Sequence, residues 1–213
     1  MLRPVLFTGA AAALAATTYA SPAAAAAQIP PPDRVVIDVV AVNGSGCPAG
    51  TAAVAVAGDN TAFTVTYSDY TAETGPVSRP TDFRKNCQLG LNVHVPQGFT
   101  YAIARADYRG FAHLERGATG LERASYYFQG SANTTAVSHR FSGPVSDDWQ
   151  TSDVTAADAL VYAPCGVSRI LNVNTELRVG AGTSDPGTTS FMAMDSTDGS
   201  VNTLYHFAWK ECP

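Results

Sequence analysis

Leu89, Leu91, Val93 and Val95 alternate with Gly90, Asn92 and His94. A two-residue period sorts the apolar set to one side of an extended chain and the polar set to the other. That pattern suits a half-buried strand and no helix. Pro96-Gln97-Gly98 follows. Proline presets φ for a turn, and glycine two places on takes φ > 0 without steric cost. Phe99 to Tyr108 then reads as a second strand, so the pair is expected to form an antiparallel hairpin. On that strand Ala102, Ala104 and Ala106 share one face, and Tyr101, Ile103, Arg105, Asp107 and Arg109 the other. Small residues let another layer approach closely, while the opposite face carries alternating charge.

The rest of the chain repeats this grammar. Val35 to Val42 is a β-branched run read as a buried strand. Thr51–Ala57 and Thr61–Tyr67 flank Gly58-Asp59-Asn60, a hairpin signal. Ser68 to Pro80 and Gly110 to Arg123 read as connections. Ala124 to Gly130 is an aromatic strand that Thr135–Phe141 can pair with. Gly143 to Asp158 reads as a loop with four acids, Asp147, Asp148, Asp153 and Asp158, with a single helical turn after Thr155. Leu171 to Val179 alternates cleanly. Thr189–Met194 and Val201–Trp209 flank Asp195 to Ser200, read as a further hairpin turn. About ten short strands with no amphipathic helix predict an all-β fold, an antiparallel β-sandwich stapled by two disulfides, the jelly roll being one such arrangement.

Size and charge narrow the classes. The chain has 213 residues, 15% of them charged, and a formal net charge of −5. No basic cluster is present to neutralise phosphates, so nucleic acid is not an expected partner. Met1 to Ala27 reads as a signal peptide: Arg3, an uncharged apolar run over Val5–Ala16, then small residues. Cleavage near Ala27 is favoured over Ala20. The run is short for a ~20-residue membrane span, so no membrane association is expected once the leader is cut. Residues 28–34 form a Pro-rich lead-in and 35–213 one β-sandwich domain of adequate size for a core. An exported chain with Cys47, Cys87, Cys165 and Cys212 is expected to pair them. Of three pairings, Cys47–Cys87 with Cys165–Cys212 is preferred, because each bridge then closes one half of the chain. Zinc is disfavoured, since there is no CxxC and the histidines lie away from the cysteines.

Val42–Thr51 (VNGSGCPAGT), Asp82–Leu89 (DFRKNCQL), Asp107–Gly120 (DYRGFAHLERGATG), Tyr126–Gly130 (YYFQG) and Met194–Gly199 (MDSTDG) together resemble the domain-of-unknown-function family 4360, small secreted proteins of bacteria and fungi. The resemblance spans nearly the whole mature chain and takes in all four cysteines. It implies a secreted single-domain protein and carries over no activity, substrate or catalytic residue.

The motifs that could carry chemistry have plainer explanations beside them. Asp195-Ser196-Thr197-Asp198-Gly199 spaces acids like a calcium loop but lacks the glutamate at the twelfth position; a turn between strands explains it. Structural calcium in Gly143–Asp158 is likewise weighed and not favoured, so no cofactor is expected. Arg105, Asp107 and Arg109, with Asp82 near in sequence, could line a polar groove for a carboxylate or glycan; cross-strand ion pairs are the simpler account. Trp149 beside Asp147-Asp148 could stack on a sugar ring, and Tyr127 could be exposed for binding; a buried aromatic is the commoner outcome for either. His94 and His206 fall on the polar phase of their strands. No GxSxG or HExxH occurs. Asn43-Gly44-Ser45 and Asn133-Thr134-Thr135 match the glycosylation acceptor. The expected function is therefore non-catalytic binding or surface duty outside the cell, with a glycan or a secreted protein as partner. Two alternatives remain: a hydrolase with a carboxylate pair among Asp82, Asp107, Asp147 and Asp148, and an inhibitor of another secreted protein.

Overall fold

The computed structural model describes residues 29–131, 135–194 and 203–213. The leader, the second acceptor sequence and the Asp195–Ser200 turn fall wholly or largely outside them. Twelve strands are described: β1 (Val36–Asn43), β2 (Ala52–Val56), β3 (Ala62–Tyr67), β4 (Thr71–Thr74), β5 (Arg84–His94), β6 (Phe99–Leu114), β7 (Thr119–Phe128), β8 (Thr135–Ser142), β9 (Val145–Val154), β10 (Ile170–Gly180), β11 (Ser190–Ala193) and β12 (Thr203–Glu211). One 3-10 turn, Ala157–Ala159, matches the alanines after Thr155. Every described pairing is antiparallel. One sheet runs β1-β5-β10-β7-β8. The other has seven strands, β2-β3-β12-β6-β11-β4 with β9 on the far side of β6. Their inner faces enclose an aromatic core in which Phe63 and Tyr205 stack at 4.9 Å and Tyr101 meets Phe207 edge-on at 5.4 Å. The chain is thus a disulfide-stapled antiparallel β-sandwich. Among the described residues no helix is long and apolar enough to cross a membrane.

Both bridges join the partners expected from locality, Cys47–Cys87 and Cys165–Cys212. The β2–β3 hairpin forms as its turn predicts, and β7 pairs with β8 as expected. On β10 the inward set is Leu171, Val173, Thr175, Leu177 and Val179, as alternation requires.

Several local expectations fail, each for a reason of tertiary pairing. β5 and β6 are not a hairpin. Both sides of β5 are taken by β1 and β10, and the Pro96–Gly98 turn, with Gly98 at φ 85°, carries the chain across to the other sheet. A turn signal specifies a bend, not which neighbour receives the next strand. β11 and β12 are not a hairpin either. Both run antiparallel to β6 on the same side of it, end to end. The expected loop at Gly143–Asp158 is largely β9, which lies along ten residues of β6. Asp148 points outward and Asp147 stands near the start of the strand, where charge is tolerated; Asp153 near its end turns inward, 3% exposed, onto His139, and Asp158 lies in the 3-10 turn beyond. The connection 110–123 is likewise strand for most of its length. β1 is not buried: it is an edge strand, with Val36 46% and Val40 55% exposed. A bulge at Val39–Ala41 interrupts its register, one of the devices that protect such edges.

The most consequential difference lies in β6. Across to β12, Ile103 pairs with Phe207 and Arg105 with His206, so Ala104 is an extra residue without a partner there. One extra residue moves every later side chain to the other face. Tyr101 and Ile103 therefore point into the core, while Arg105, Asp107 and Arg109 point out. Ala106, Tyr108 and Ala112 replace them inside, all at most 1% exposed.

Candidate functional site

The bulge makes the outer face of the seven-stranded sheet. After it, Arg105, Asp107, Arg109, Phe111 and His113 project outward from β6, flanked by Ser146, Asp148, Gln150 and Ser152 of β9. At one end Asp107 is 7% exposed and fully engaged. It accepts from Arg105 Nε at 2.9 Å and Nη2 at 2.7 Å, from Ser152 Oγ at 2.5 Å, and from His206 Nε2 at 2.9 Å. Burial works against its charge, but these donors outweigh it and hold the carboxyl at about 2. An ionised carboxylate only accepts, so the proton on His206 sits on Nε2. This end is a saturated polar network with no free valence for a ligand.

The middle and far end differ. Arg109, paired across the ladder with Gln150, has no ion pair or side-chain hydrogen bond among the described residues. Beside it the rings of Phe111 and Phe191 lie 5.9 Å apart and those of His113 and Phe191 5.7 Å, all near parallel. Ser146 fixes His113 through Nδ1 at 3.1 Å. The result is a half-buried aromatic shelf next to a guanidinium with no side-chain partner among the described residues. Phe111 lay in a segment read as a connection and Phe191 in a strand assigned another neighbour, so sequence reasoning had no means of joining them.

The other candidates scatter. Asp82 sits in the turn before β5, taking Arg79 at 3.1 Å and Lys85 at 2.9 Å. Those bonds, Arg79 first, hold its carboxyl well below the usual range. Tyr127 is on the outer face of the five-stranded sheet, opposite Asn172. Trp149 points inward from β9, 7% exposed, with its ring 5.4 Å from Phe141. The acids do not converge. Asp148 shares a face with Asp107 but stands four residues from Asp107's cross-strand partner Ser152, a run of about 13 Å. Paired glycosidase carboxylates stand about 5–9.5 Å apart. Asp147 takes the opposite alternation. Among the described residues no three His, Cys, Asp or Glu side chains gather to hold a metal ion.

A second concavity of about 680 Å³ lies at one end of the sandwich, between the 93–101 corner and residues 163–169. Its walls are fixed by Cys165–Cys212, by Cys212 N–H on Gly98 O at 2.8 Å, and by Ser168 Oγ on Asn92 Oδ1 at 2.8 Å. Arg169 and His94 line it together with Phe99 and Val167.

Fold and site define a class: a rigid β-sandwich with an open polar and aromatic face and no assembled catalytic constellation among the described residues. The particular family is shown by sequence. Residues 33–212 match the domain of unknown function DUF4360, and the chain belongs to that family. It is also similar to an "Uncharacterized secreted protein" of Arthroderma benhamiae, 35% identical over 180 residues, covering 84% of this chain and 73% of that protein. Among solved structures, a chain from naturally occurring empty particles of cowpea mosaic virus top component aligns over 84% of this chain and 90% of its own, with a TM-score of 0.26 and 10% identity. That distance carries no argument.

Proposed function

We propose that this protein is a secreted, non-catalytic binding module that holds a glycan or cell-wall polymer along the outer face of β6. Export is supported by the leader pattern at 1–27, two disulfides and the secreted fungal relative. The binding reading is carried by one observation: Arg109, with no ion pair or side-chain hydrogen bond among the described residues, stands beside the Phe111–Phe191–His113 shelf. Sugars offer apolar C–H faces and rings of hydroxyls, so an aromatic shelf with a guanidinium and the Gln150 amide matches both. The saturated Asp107 network keeps that end of the face rigid, which lowers the ordering cost of binding.

The protein purified from culture medium, expected to begin at Gln28, is tested for retention on chitin, cellulose and peptidoglycan. Retention on one polymer is expected, with Arg109→Ala and Phe111→Ala each weakening it about tenfold, the loss typical of an interface anchor. Retention unchanged in both variants removes the face from consideration. Retention on none favours a secreted protein as partner.

A second reading concerns the 680 Å³ groove. Arg169 has no ion pair among the described residues, and apolar Phe99 and Val167 lie in the same walls, which suits a small carboxylate with an apolar body. Phenylacetate is expected to bind about tenfold more tightly than phenylacetamide, with Arg169→Gln abolishing the difference. Equal binding of the two probes to the unaltered protein rejects this reading.

A further inference from the structure

The sandwich interior holds an acid pair that the binding face does not use. Glu122 points inward from β7, 0% exposed, and neither carboxylate oxygen has a hydrogen-bond partner among the described residues. Asp153 points inward from β9, 3% exposed. Its Oδ1 lies 2.7 Å from Nε2 of His139 on β8, and its Oδ2 has no partner among the described residues. The groups that face Glu122 electrostatically are Tyr67 of β3, Tyr70 ahead of β4, Tyr108 of β6, Tyr126 of β7, Asp153 of β9 and Tyr205 of β12. On β10 the inward neighbour is Thr175, bonded to Tyr70 at 3.1 Å, while Glu176 is ion-paired with Arg84 and Arg178. His139 of β8 is the one base in this set, and it is committed to Asp153. No lysine or arginine stands among the groups facing Glu122.

These acids lie beside a seam. Among the described residues β8 pairs with β7 alone and β9 with β6 alone, so each is the edge of its sheet, and the two edges meet. Two side-chain ties cross the seam among the described residues: His139 to Asp153, and the Phe141 ring on Trp149. The His139 side chain is 26% exposed, so solvent reaches the seam beside the pair.

We propose that the β8–β9 seam is a proton-operated latch, shut while Glu122 carries its proton and loosened as that proton is released to water. An ionised Glu122 would stand in a low-dielectric interior with Asp153 across from it, and its cross-strand neighbour His139, the one side chain among these groups able to carry positive charge, is already bonded to Asp153. Opening the seam relieves this by letting water reach both. Burial, then the charge of Asp153, pushes Glu122 up to about 8. In the opened form it returns toward ~4.3. The closed state therefore holds the extra proton between those values. Its advantage is complete at low pH and declines as pH rises toward about 8, beyond which it is flat.

Hydrogen exchange of the intact, disulfide-bonded protein tests this, with rates corrected for intrinsic pH dependence. Protection of β8 amides in residues 135–142 is expected to fall about tenfold per pH unit from ~5 to ~8 and then level off, while β10 keeps its protection. Glu122→Gln, of nearly the same shape, should abolish the slope; His139→Gln should lower β8 protection at every pH. A β8 profile flat with pH in the unaltered protein overturns the proposal. So does loss of β8 and β10 together, which would be global unfolding, or an unchanged slope in Glu122→Gln.

Discussion

Truncation of Tyr205 to alanine is expected to cost about 3–5 kcal/mol, while Tyr205→Phe leaves the protein at least as stable as before. Tyr205 is 0% exposed at the centre of the core. It stacks on Phe63 at 4.9 Å, meets Tyr108 edge-on at 6.1 Å and meets Tyr126 edge-on at 6.5 Å. Alanine removes that ring from between two sheets that cannot collapse, because strands on both sides are pinned by their ladders. The cavity term therefore stays nearly whole. The hydroxyl is a different matter. It is buried with no hydrogen bond of normal geometry among the described residues, although the Tyr108 hydroxyl is close enough to interact with it, so removing it relieves a desolvation cost more than it breaks a bond. Guanidinium unfolding of the three proteins measures both effects. A Tyr205→Phe loss above ~1 kcal/mol would mean that the hydroxyl is hydrogen-bonded in solution.

Removal of the Cys47–Cys87 bridge is the second large effect. It closes a separation of 40 residues and ties the loop after β1 to the middle of β5. Constraint of the unfolded chain by a loop of that length contributes about 4 kcal/mol. Both sulfurs are inside, at 0% and 1% exposure, so alanines also leave unfilled space. In a chain of this size the combined loss lowers Tm by at least ~8–16 °C. Cys165–Cys212, with a comparable separation of 47, should cost less when removed, because its cysteines are not in the core. Thermal unfolding of the two double-alanine variants gives the order. Equal losses would mean that loop closure alone matters.

How much of this was legible beforehand depended on the range of the interaction. β5 and β10 could be read residue by residue, since alternation is a local consequence of the pleat and Leu89, Leu91, Val173 and Leu177 need only a core to point at. The β2–β3 turn was legible because Gly58-Asp59-Asn60 is too short to do anything but reverse the chain. Phe99 to Tyr108 is also legible as strand, yet simple alternation misassigns its faces beyond Ala104. A bulge depends on what the partner strand presents, and no residue near Ala104 announces it. Arg105, Asp107 and Arg109 were picked out correctly as sharing a face, but Phe111 and Phe191 belong to segments 80 residues apart. Nothing local reports that proximity. In sequence Glu122 is one charge in a connection, because a buried acid looks the same there as an exposed one.

The β character, the two-sided strands, a preferred cysteine pairing and the family are all legible along the chain. Each follows from side-chain period, turn chemistry or order along the chain, and so is set by residues near one another. The packing of the two sheets set which strands became neighbours, that β11 and β12 lie end to end along β6, and that Asp107 is saturated while Arg109 has no side-chain partner among the described residues. It also decided that Glu122 and Asp153 face each other at the seam between β8 and β9. Those outcomes depend on which surfaces the two sheets bury against one another, and that choice is made by the whole chain at once.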